Sequence, residues 1–401
     1  QSSDSKSGFV LFISTIGSVF GVIFTALFLV PNFSNFSGYI LNALFLTVYT
    51  LIIYFFVGYK FFKKLKKLFL FLNLVLFIFL LISYNFKNIY LNYFTTSKDK
   101  NDNSYVIKHE NFSYYGNLKV VGIKPHNKKN ISFYKLYQNG TTQNTIDLNG
   151  KSLSTYTHIL NALSQYSVKG DALILGFGGG IVPKELSKMK FNIDVVEINP
   201  ATLKIAETFF KYKKNNNNFF FEDARTFVRK CKKKYDLIVV DLFFEDGAPE
   251  HLTTFEFYQN LKNCLNEKGV VVSNAIADFS NDLTVSTILS TFNSVFKNIY
   301  YFYDDMHVKK SNLKISNLYI LASNQSKFEK IDIKLENVPK SMKEKVYRTL
   351  KNTNKFKKEK FNKEHVLFDE NNTYSEIFSK SLETYRKAIA NLVPSRILMN
   401  W

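Results

Sequence analysis

The chain has 401 residues, with 53 Lys and Arg against 33 Asp and Glu, a formal net charge of +20, 41 Phe and only 2 Cys. This length supports more than one domain, and two cysteines cannot form a disulfide framework, so small disulfide-stabilised scaffolds are excluded. The charge suggests an anionic partner, and a mean hydropathy of -0.10 is typical of a soluble protein, but both averages assume a uniform chain.

The first ninety residues contain three long apolar runs. Residues 8–30 and 38–58 carry no charge, and residues 68–83 form a third, shorter run. A helix rises about 1.5 Å per residue, so about 20 residues cross a hydrocarbon core of about 30 Å. We predict a membrane domain over residues 1–90 with a transmembrane helix at each run. A buried or interfacial helix is the alternative for the third run.

Residues 100–150 are predicted to form a small antiparallel β domain. Short alternating runs such as YVIKHENF, NLKVVGI and ISFYKLY are typical of half-buried strands. Asn139-Gly140, between KLYQ and TTQNTI, is the strongest type of short hairpin signal.

Residues 151–325 alternate between helical patterns and continuous apolar strands. The strands are DALIL, IDVV, NNFFF, YDLIVV and GVVVSNAI, and such runs predict a parallel sheet covered by helices on both faces. The remaining residues 326–401 form a basic C-terminal extension. We predict a solvated face or loose linker from 326 to about 363, and a last helix over 374–392.

Candidate site residues follow these strands where each one ends. Gly176, Gly178 and Gly179 follow the first strand and let a ligand approach the backbone, although a close-packed turn is the alternative. Glu197 ends the second strand, where a carboxylate can accept hydrogen bonds from both ribose hydroxyls.

Two further strands also end in acids. Asp223 follows the third strand and could accept from an adenine amino group or cap the next helix. Asp241 ends the fourth strand and faces the crevice in which a substrate amine or sulfonium would lie. The ordered set predicts an adenosine-containing ligand, and the sequence contains no P-loop lysine that would demand a phosphate.

These motifs resemble the spermidine synthase-like branch of class I S-adenosylmethionine-dependent transferases, and more narrowly its integral-membrane members. The resemblance rests on GSVFGVIFTALFLVP, SYYGNLKVV, LYQNGTTQ, LILGFGGGIVPKEL, VVEINP, FEDARTF and VLFDENNTYSE, and most specifically on residues 235–258, YDLIVVDLFFEDGAPEHLTTFEFY. It implies a Rossmann-like catalytic domain preceded by a small β-sheet and transmembrane helices.

The resemblance also implies residue roles. Gly176 and Gly178 would line the nucleoside, Glu197 would hold the ribose, and Asp223 with Ala224 would meet the adenine. Asp241 matches the proton acceptor for the attacking amine. Tyr156 and His158 fall where a Tyr-His pair approaches the substrate.

Two departures from the family pattern bear on the donor. Polyamine-making members have GGGDGG after the first strand, and the Asp position here is Gly179. They also have an Asp three residues beyond the catalytic one, which here is Phe244, followed by Glu245 and Asp246. Because a buried ammonium needs a carboxylate partner, we expect intact S-adenosylmethionine to be a better donor than its decarboxylated form.

Several functions stay open at this point. Aminopropyl-type alkyl transfer with Asp241 as base is the main hypothesis. Methyl transfer and intramolecular cleavage of the donor by a lyase or cyclase are alternatives, as is a nucleoside-binding membrane protein without turnover. We expect a small amine acceptor and no metal, because the His and Cys residues lack ligand spacing. The Lys clusters favour contact with lipid headgroups or plain solvation over nucleic acid, and homodimer formation stays open.

The location of the catalytic domain raises a conflict. The positive-inside rule places the loop KFFKKLKK, residues 60–67, in the cytoplasm, so a third span would put everything after residue 90 outside. The donor nevertheless favours a cytoplasmic catalytic domain. The conflict would be removed if the third segment were re-entrant, if the positive-inside rule failed for this loop, or if further helices preceded Gln1.

Overall fold

The computed structural model describes residues 3–58, 66–242, 247–310, 313–325, 328, 331–356 and 362–399. Its N-terminal part is helical. Helix α1 spans Ser3–Phe24 and continues through a π-helical turn, Thr25–Leu29, and a short helical segment, Val30–Asn32. Helix α2 spans Asn35–Ile53 and continues through a second π-helical turn, Tyr54–Gly58. Helices α3 and α4 span Lys66–Asn85 and Lys87–Phe94.

Three helical stretches are long and apolar enough to cross a membrane: Lys6–Asn32, Asn35–Phe56 and Lys67–Asn85. They coincide with the three predicted runs, and the third meets the same criterion of length and composition as the others. Large apolar side chains such as Phe12, Phe20 and Phe71 point outward, as a lipid-facing surface requires. The predicted basic loop at 60–67 lies mostly outside the described residues.

A four-stranded antiparallel sheet follows the three candidate membrane-spanning helices. Its strands are adjacent in chain order: β1 Ser104–Asn111, β2 Leu118–Lys124, β3 Phe133–Gln138 and β4 Thr141–Asp147. Asn139 and Gly140 join β3 to β4 with φ values of 46° and 87°. Both residues have positive φ, as a type I′ turn demands, so the predicted hairpin is confirmed.

The second sheet has eight strands: β5 Asp171–Leu175, β6 Asn192–Val196, β7 Asn218–Phe220, β8 Tyr235–Val240, β9 Leu265–Asp278, β10 Asn298–Phe302, β11 Ile315–Ser323 and β12 Asn354–Lys355. The spatial order is β12-β10-β11-β9-β8-β5-β6-β7. Strands β5 to β9 are parallel, as predicted, whereas β10, β11 and β12 pair antiparallel and were not predicted. The chain reverses its strand order between β5 and β8, which opens a crevice there.

Helices cover both faces of this sheet. They are α5 Thr155–Ser164, α6 Ile181–Lys188, α7 Ala201–Phe209, α8 Ala224–Arg229, α9 Phe255–Asn263, α10 Asp282–Val295, α11 Asp305–Lys310, α12 Lys340–Lys351, α13 Tyr374–Ala390 and α14 Ser395–Leu398. Neighbouring strand residues such as Leu173 and Ile174 are buried in separate apolar clusters on opposite faces. Burial on both faces explains the continuous apolar strands, and the predicted fold class is confirmed.

The C-terminal extension is more ordered than predicted. Part of the expected linker is helix α12, which buries Val346 and Leu350 against the core, and β12 pairs with β10. Over α12 the loose-linker alternative is wrong and the solvated-face alternative is correct, because the lysines lie on the exposed side of an amphipathic helix whose other side is apolar. The last segment returns to the small sheet, where Ile397 packs with Tyr105 and Tyr137.

Candidate active site

A cavity of about 330 Å³ lies at the carboxyl ends of the parallel strands and is closed on its other side by the small sheet. Ligands of open α/β sheets bind in this crevice. The cavity brings together seven of the predicted site residues: Tyr156, Gly176, Gly178, Glu197, Asp223, Ala224 and Asp241.

The glycine turn lets the chain pass close to its neighbouring strand. Gly176 has a φ of +89°, and a β-carbon there would lie 2.2 Å from the carbonyl oxygen of Asp241. Gly178 has a φ of +52°. Only glycine meets both requirements at position 176, so the turn depends on the residue type that the sequence shows there.

Asp241 is buried at the end of β8. Burial raises the pKa of its carboxyl to about 6, against the effect of a hydrogen bond that the Asn274 amide donates to Oδ1 at 2.9 Å. The Asn317 amide in turn donates to Oδ1 of Asn274 at 2.8 Å. A carboxyl with this pKa is a base near neutral pH, and the two amides fix its orientation.

Glu197 is held at the end of β6 by the backbone. Its Oε2 accepts from the Phe177 N–H at 3.0 Å, and its Oε1 accepts from the Asn199 N–H at 2.8 Å. Burial raises the pKa of this carboxyl, while the backbone donors act in the opposite direction. The side chain is therefore held in one orientation at the cavity wall.

Asp223 caps a helix and also borders the cavity. Its Oδ1 accepts from the Thr226 N–H at 2.8 Å, so the helix-capping alternative is correct. Its Oδ2 lies 3.3 Å from Nε2 of His251, which also lines the cavity. Burial raises the pKa of Asp223, but these hydrogen bonds outweigh it and lower the pKa overall.

Tyr156 belongs to a hydrogen-bonded network between the small sheet and the glycine turn. Its hydroxyl donates to the Gln143 carbonyl at 3.0 Å and accepts from Nδ2 of Asn144 at 2.6 Å. The Gly179 N–H donates to Oδ1 of Asn144 at 2.5 Å. Gly179 itself is outside the cavity lining, and a β-carbon there would lie 2.8 Å from the same Oδ1.

His158 is not at this cavity. Successive residues of an α-helix are rotated by about 100°, so Tyr156 and His158 point about 200° apart on α5. His158 faces a different cavity, and its Nε2 lies 3.0 Å from the Ser152 carbonyl. Burial lowers the pKa of this imidazole. The structure therefore separates the expected Tyr-His pair.

Some residues of the cavity were missed by the sequence reasoning. Asn274 and Asn317 stand in largely apolar strands, and a polar residue within GVVVSNAI was a signal that could have identified the first. Gln143 and Tyr385 gave no such signal, because their positions depend on how the small sheet and helix α13 dock. Phe244, Glu245 and Asp246 lie outside the described residues. Among the described residues, no group of three or more His, Cys, Asp or Glu could hold a metal.

Comparisons with known proteins agree with this architecture. Residues 155–329 match the spermine/spermidine synthase domain. A polyamine aminopropyltransferase of Vibrio vulnificus (strain CMCP6) is 36% identical over 136 residues, which are 32% of this chain and 44% of that protein. Polyamine aminopropyltransferase 2 of Aquifex aeolicus (strain VF5) is 30% identical over 212 residues, 47% of this chain and 42% of that protein. The matched region thus spans less than half of either relative.

A solved structure shows the same fold. A probable spermidine synthase from Corynebacterium glutamicum ATCC 13032 superimposes with a TM-score of 0.52 at 16% identity, covering 66% of this chain and 96% of that one. The domain match and the two relatives show that residues 155–329 carry a spermine/spermidine synthase-like domain, and the solved structure shows the same class I methyltransferase-like α/β fold.

Proposed function

We propose that this protein is a membrane-anchored transferase that moves an alkyl group of the aminopropyl type from an S-adenosyl sulfonium donor to an amine. One observation carries the proposal: a buried carboxyl with a pKa of about 6, Asp241, stands beside the Gly176 turn and is oriented by Asn274. A base poised near neutral pH is what an amine nucleophile needs.

The donor would lie across the ends of β5, β6 and β7. Gly176 and Gly178 would contact the nucleoside, Glu197 would accept from the ribose hydroxyls, and Asp223 with Ala224 would meet the adenine. All five line the same cavity. The rigid placement of Glu197 by two backbone N–H groups supports its role, because it leaves no conformational entropy to lose on binding.

The reaction needs little from the protein beyond proximity and a base. The acceptor amine directs its lone pair at a carbon of the sulfonium, a nitrogen–carbon bond forms, and the sulfur–carbon bond breaks. The bonding electrons stay on sulfur, which leaves as a neutral thioether. The proton of the amine passes to the Asp241 carboxylate. Holding the two reactants in line supplies much of the rate enhancement.

The surroundings of Gly179 support intact S-adenosylmethionine over its decarboxylated form. Position 179 carries no carboxylate, and the space that a side chain would need is taken by the Asn144 amide and the Phe210 ring. A neutral amide neither pairs strongly with the ammonium of a decarboxylated donor nor repels the carboxylate of an intact one.

A product analysis tests the proposal. The purified full-length chain would be incubated with each donor and a panel of amines, and the nucleoside product identified by mass spectrometry. Methylthioadenosine together with an alkylated amine is the expected result. S-adenosylhomocysteine would mean methyl transfer, methylthioadenosine without an alkylated amine would mean donor cleavage, and no product would leave only a binding role.

The catalytic domain is proposed to be cytoplasmic, because S-adenosyl donors are made there. Protease digestion of right-side-out and inverted membrane vesicles would test this. The proposal requires cleavage after β1 only in inverted vesicles.

A further inference from the structure

One wall of the candidate active site is bonded directly to a membrane helix. Tyr114 lines the cavity, and its hydroxyl donates a hydrogen bond to the backbone carbonyl of Leu27 at 2.5 Å. Leu27 lies in the first candidate span, Lys6–Asn32, five residues before its end. At about 1.5 Å per residue, the contact is about 8 Å from the end of the span, where bilayer and water meet.

This contact uses a feature of the membrane helix. Leu27 is the central residue of the π-helical turn Thr25–Leu29, where the regular α-helical hydrogen bonding changes. π-Helical turns occur mostly as single insertions and often at functional sites. Tyr114 supplies a side-chain donor to a carbonyl of this turn.

The loop that carries Tyr114 is firmly held on the catalytic side. Asn199, another cavity residue, donates through Nδ2 to Oγ of Ser113 at 3.2 Å. Gln138 donates to the Tyr115 carbonyl at 2.9 Å. The loop therefore connects the cavity to the membrane helix as a fixed bridge.

A second cavity wall is connected to the membrane-proximal part independently. Tyr385 on α13 lines the cavity, and the chain continues from α13 into α14. There the Arg396 guanidinium donates to Oδ1 of Asn92 at 2.5 Å, and the Arg396 N–H donates to the Thr96 carbonyl at 3.2 Å. Asn92 belongs to α4, which directly follows the third candidate span.

The surfaces at this end are apolar and exposed. On α4, the side chains of Ile89, Tyr93 and Phe94 are 61%, 81% and 66% exposed. At the cavity rim, Tyr114 and Ile198 are also exposed. Aromatic and aliphatic side chains next to a span are typical of the membrane–water interface. Two walls of the cavity are thus connected to the ends of candidate membrane spans.

Resting on the transferase function proposed above, we infer that the acceptor is the primary amine of a phospholipid headgroup, taken from the bilayer surface. The headgroup amine first loses a proton to water, then forms the new nitrogen–carbon bond as the sulfur–carbon bond breaks. Its second proton passes to Asp241, and the lipid is released as a secondary amine. The apolar rim would hold the acyl end of the lipid outside the cavity.

Reconstitution tests this inference. The full-length chain would be placed in phosphatidylcholine vesicles containing phosphatidylethanolamine, or the same lipid with its amine N-acetylated as the matched control. Donor labelled in the transferred carbons would be added, with soluble diamines in a separate arm. We expect label in the phosphatidylethanolamine only, with one equivalent of the thioether nucleoside. Label in soluble amines without label in lipid would overturn this inference and leave the proposed function standing. No nucleoside product in any arm would overturn both.

A pair of tyrosine variants tests the bridge itself. Tyr114→Phe removes only the hydroxyl that bonds Leu27, and we expect the KM for the vesicle lipid, measured as mole fraction, to rise about threefold or more. Tyr347 is also exposed but lies on α12, away from the cavity, so Tyr347→Phe is the matched control with an unchanged KM. Equal KM values for the two variants would contradict a role for the bridge.

Discussion

The carbonyl oxygen of Asp241 occupies the space next to Gly176 in which any other residue would carry its β-carbon, 2.2 Å from that position. The Asp241 N–H donates to the Leu175 carbonyl at 2.9 Å, so the two strands are locked together at this point. The glycine turn and the backbone of the proposed base are therefore one structural unit, and a side chain at position 176 would displace the backbone of Asp241.

Replacing Gly176 should lower the stability of the protein. Gly176→Ala combines a positive φ with a backbone clash, and we expect a loss of about 2 kcal/mol or more in stability, together with loss of nucleoside binding. Thermal unfolding in detergent and equilibrium binding would measure both. Gly247→Ala is the control, because its β-carbon would meet only Leu382, at 3.7 Å. Equal unfolding temperatures for the two variants would refute the argument.

The rate should depend on the protonation of Asp241. A carboxyl with a pKa raised to about 6 is protonated below that pH and cannot accept a proton from the amine, so kcat at saturating acceptor should fall about tenfold per pH unit below pH 6 and level off above it. A pH profile of kcat would measure this. A rate independent of pH across that range would exclude Asp241 as the base.

Removing the Asn274 amide should shift the pH profile of kcat. Its hydrogen bond favours the charged carboxylate, so Asn274→Ala should raise the pKa of Asp241 and shift the acidic limb upward by about one pH unit. The shift identifies the limb with Asp241 rather than with the acceptor amine. Asn266→Ala is the matched control, since Asn266 also lies on β9 and donates to a carboxylate, Asp236, but away from the cavity. If the acidic limb of the kcat profile lay at the same pH in both variants, Asn274 would not tune the pKa of Asp241.

Donor preference should respond to position 179. A β-carbon at position 179 would lie 2.8 Å from Oδ1 of Asn144 and 2.9 Å from Cδ1 of Phe210, so we would pair Gly179→Asp with Asn144→Gly, which removes the first clash and leaves the Phe210 ring to shift. A carboxylate there can bind the ammonium of the decarboxylated donor, and we expect the ratio of kcat/KM for the decarboxylated over the intact donor to rise about tenfold or more relative to Asn144→Gly alone. An unchanged ratio would mean that position 179 does not select the donor.

The features that could be predicted from the sequence are those set by the residues within each strand and turn. Apolar strands ending in Gly176, Glu197, Asp223 and Asp241 specify a parallel sheet with acids at one edge, because parallel strands end on the same side. The positive φ values of Asn139 and Gly140 follow equally from the residue types in the hairpin.

Features that depend on long-range docking were not predictable in this way. Helix α12 packs by a few apolar residues within a lysine-rich stretch whose composition alone suggested a linker. The separation of Tyr156 from His158 could have been predicted, because residues two apart on a helix point about 200° apart, whereas the cavity that each side chain faces depends on docking. The hydrogen bond from Tyr114 to Leu27 joins residues 87 positions apart, so no local sequence pattern predicts it.

The most direct test of the proposed chemistry is a single-turnover measurement with the wild-type chain and Asp241→Asn, each saturated with S-adenosylmethionine and mixed with acceptor. We predict one equivalent of methylthioadenosine and of alkylated amine from the wild-type chain. Asp241→Asn should bind the donor with unchanged affinity and form product at least about a hundredfold more slowly. Product formation by Asp241→Asn at the wild-type rate would contradict the account.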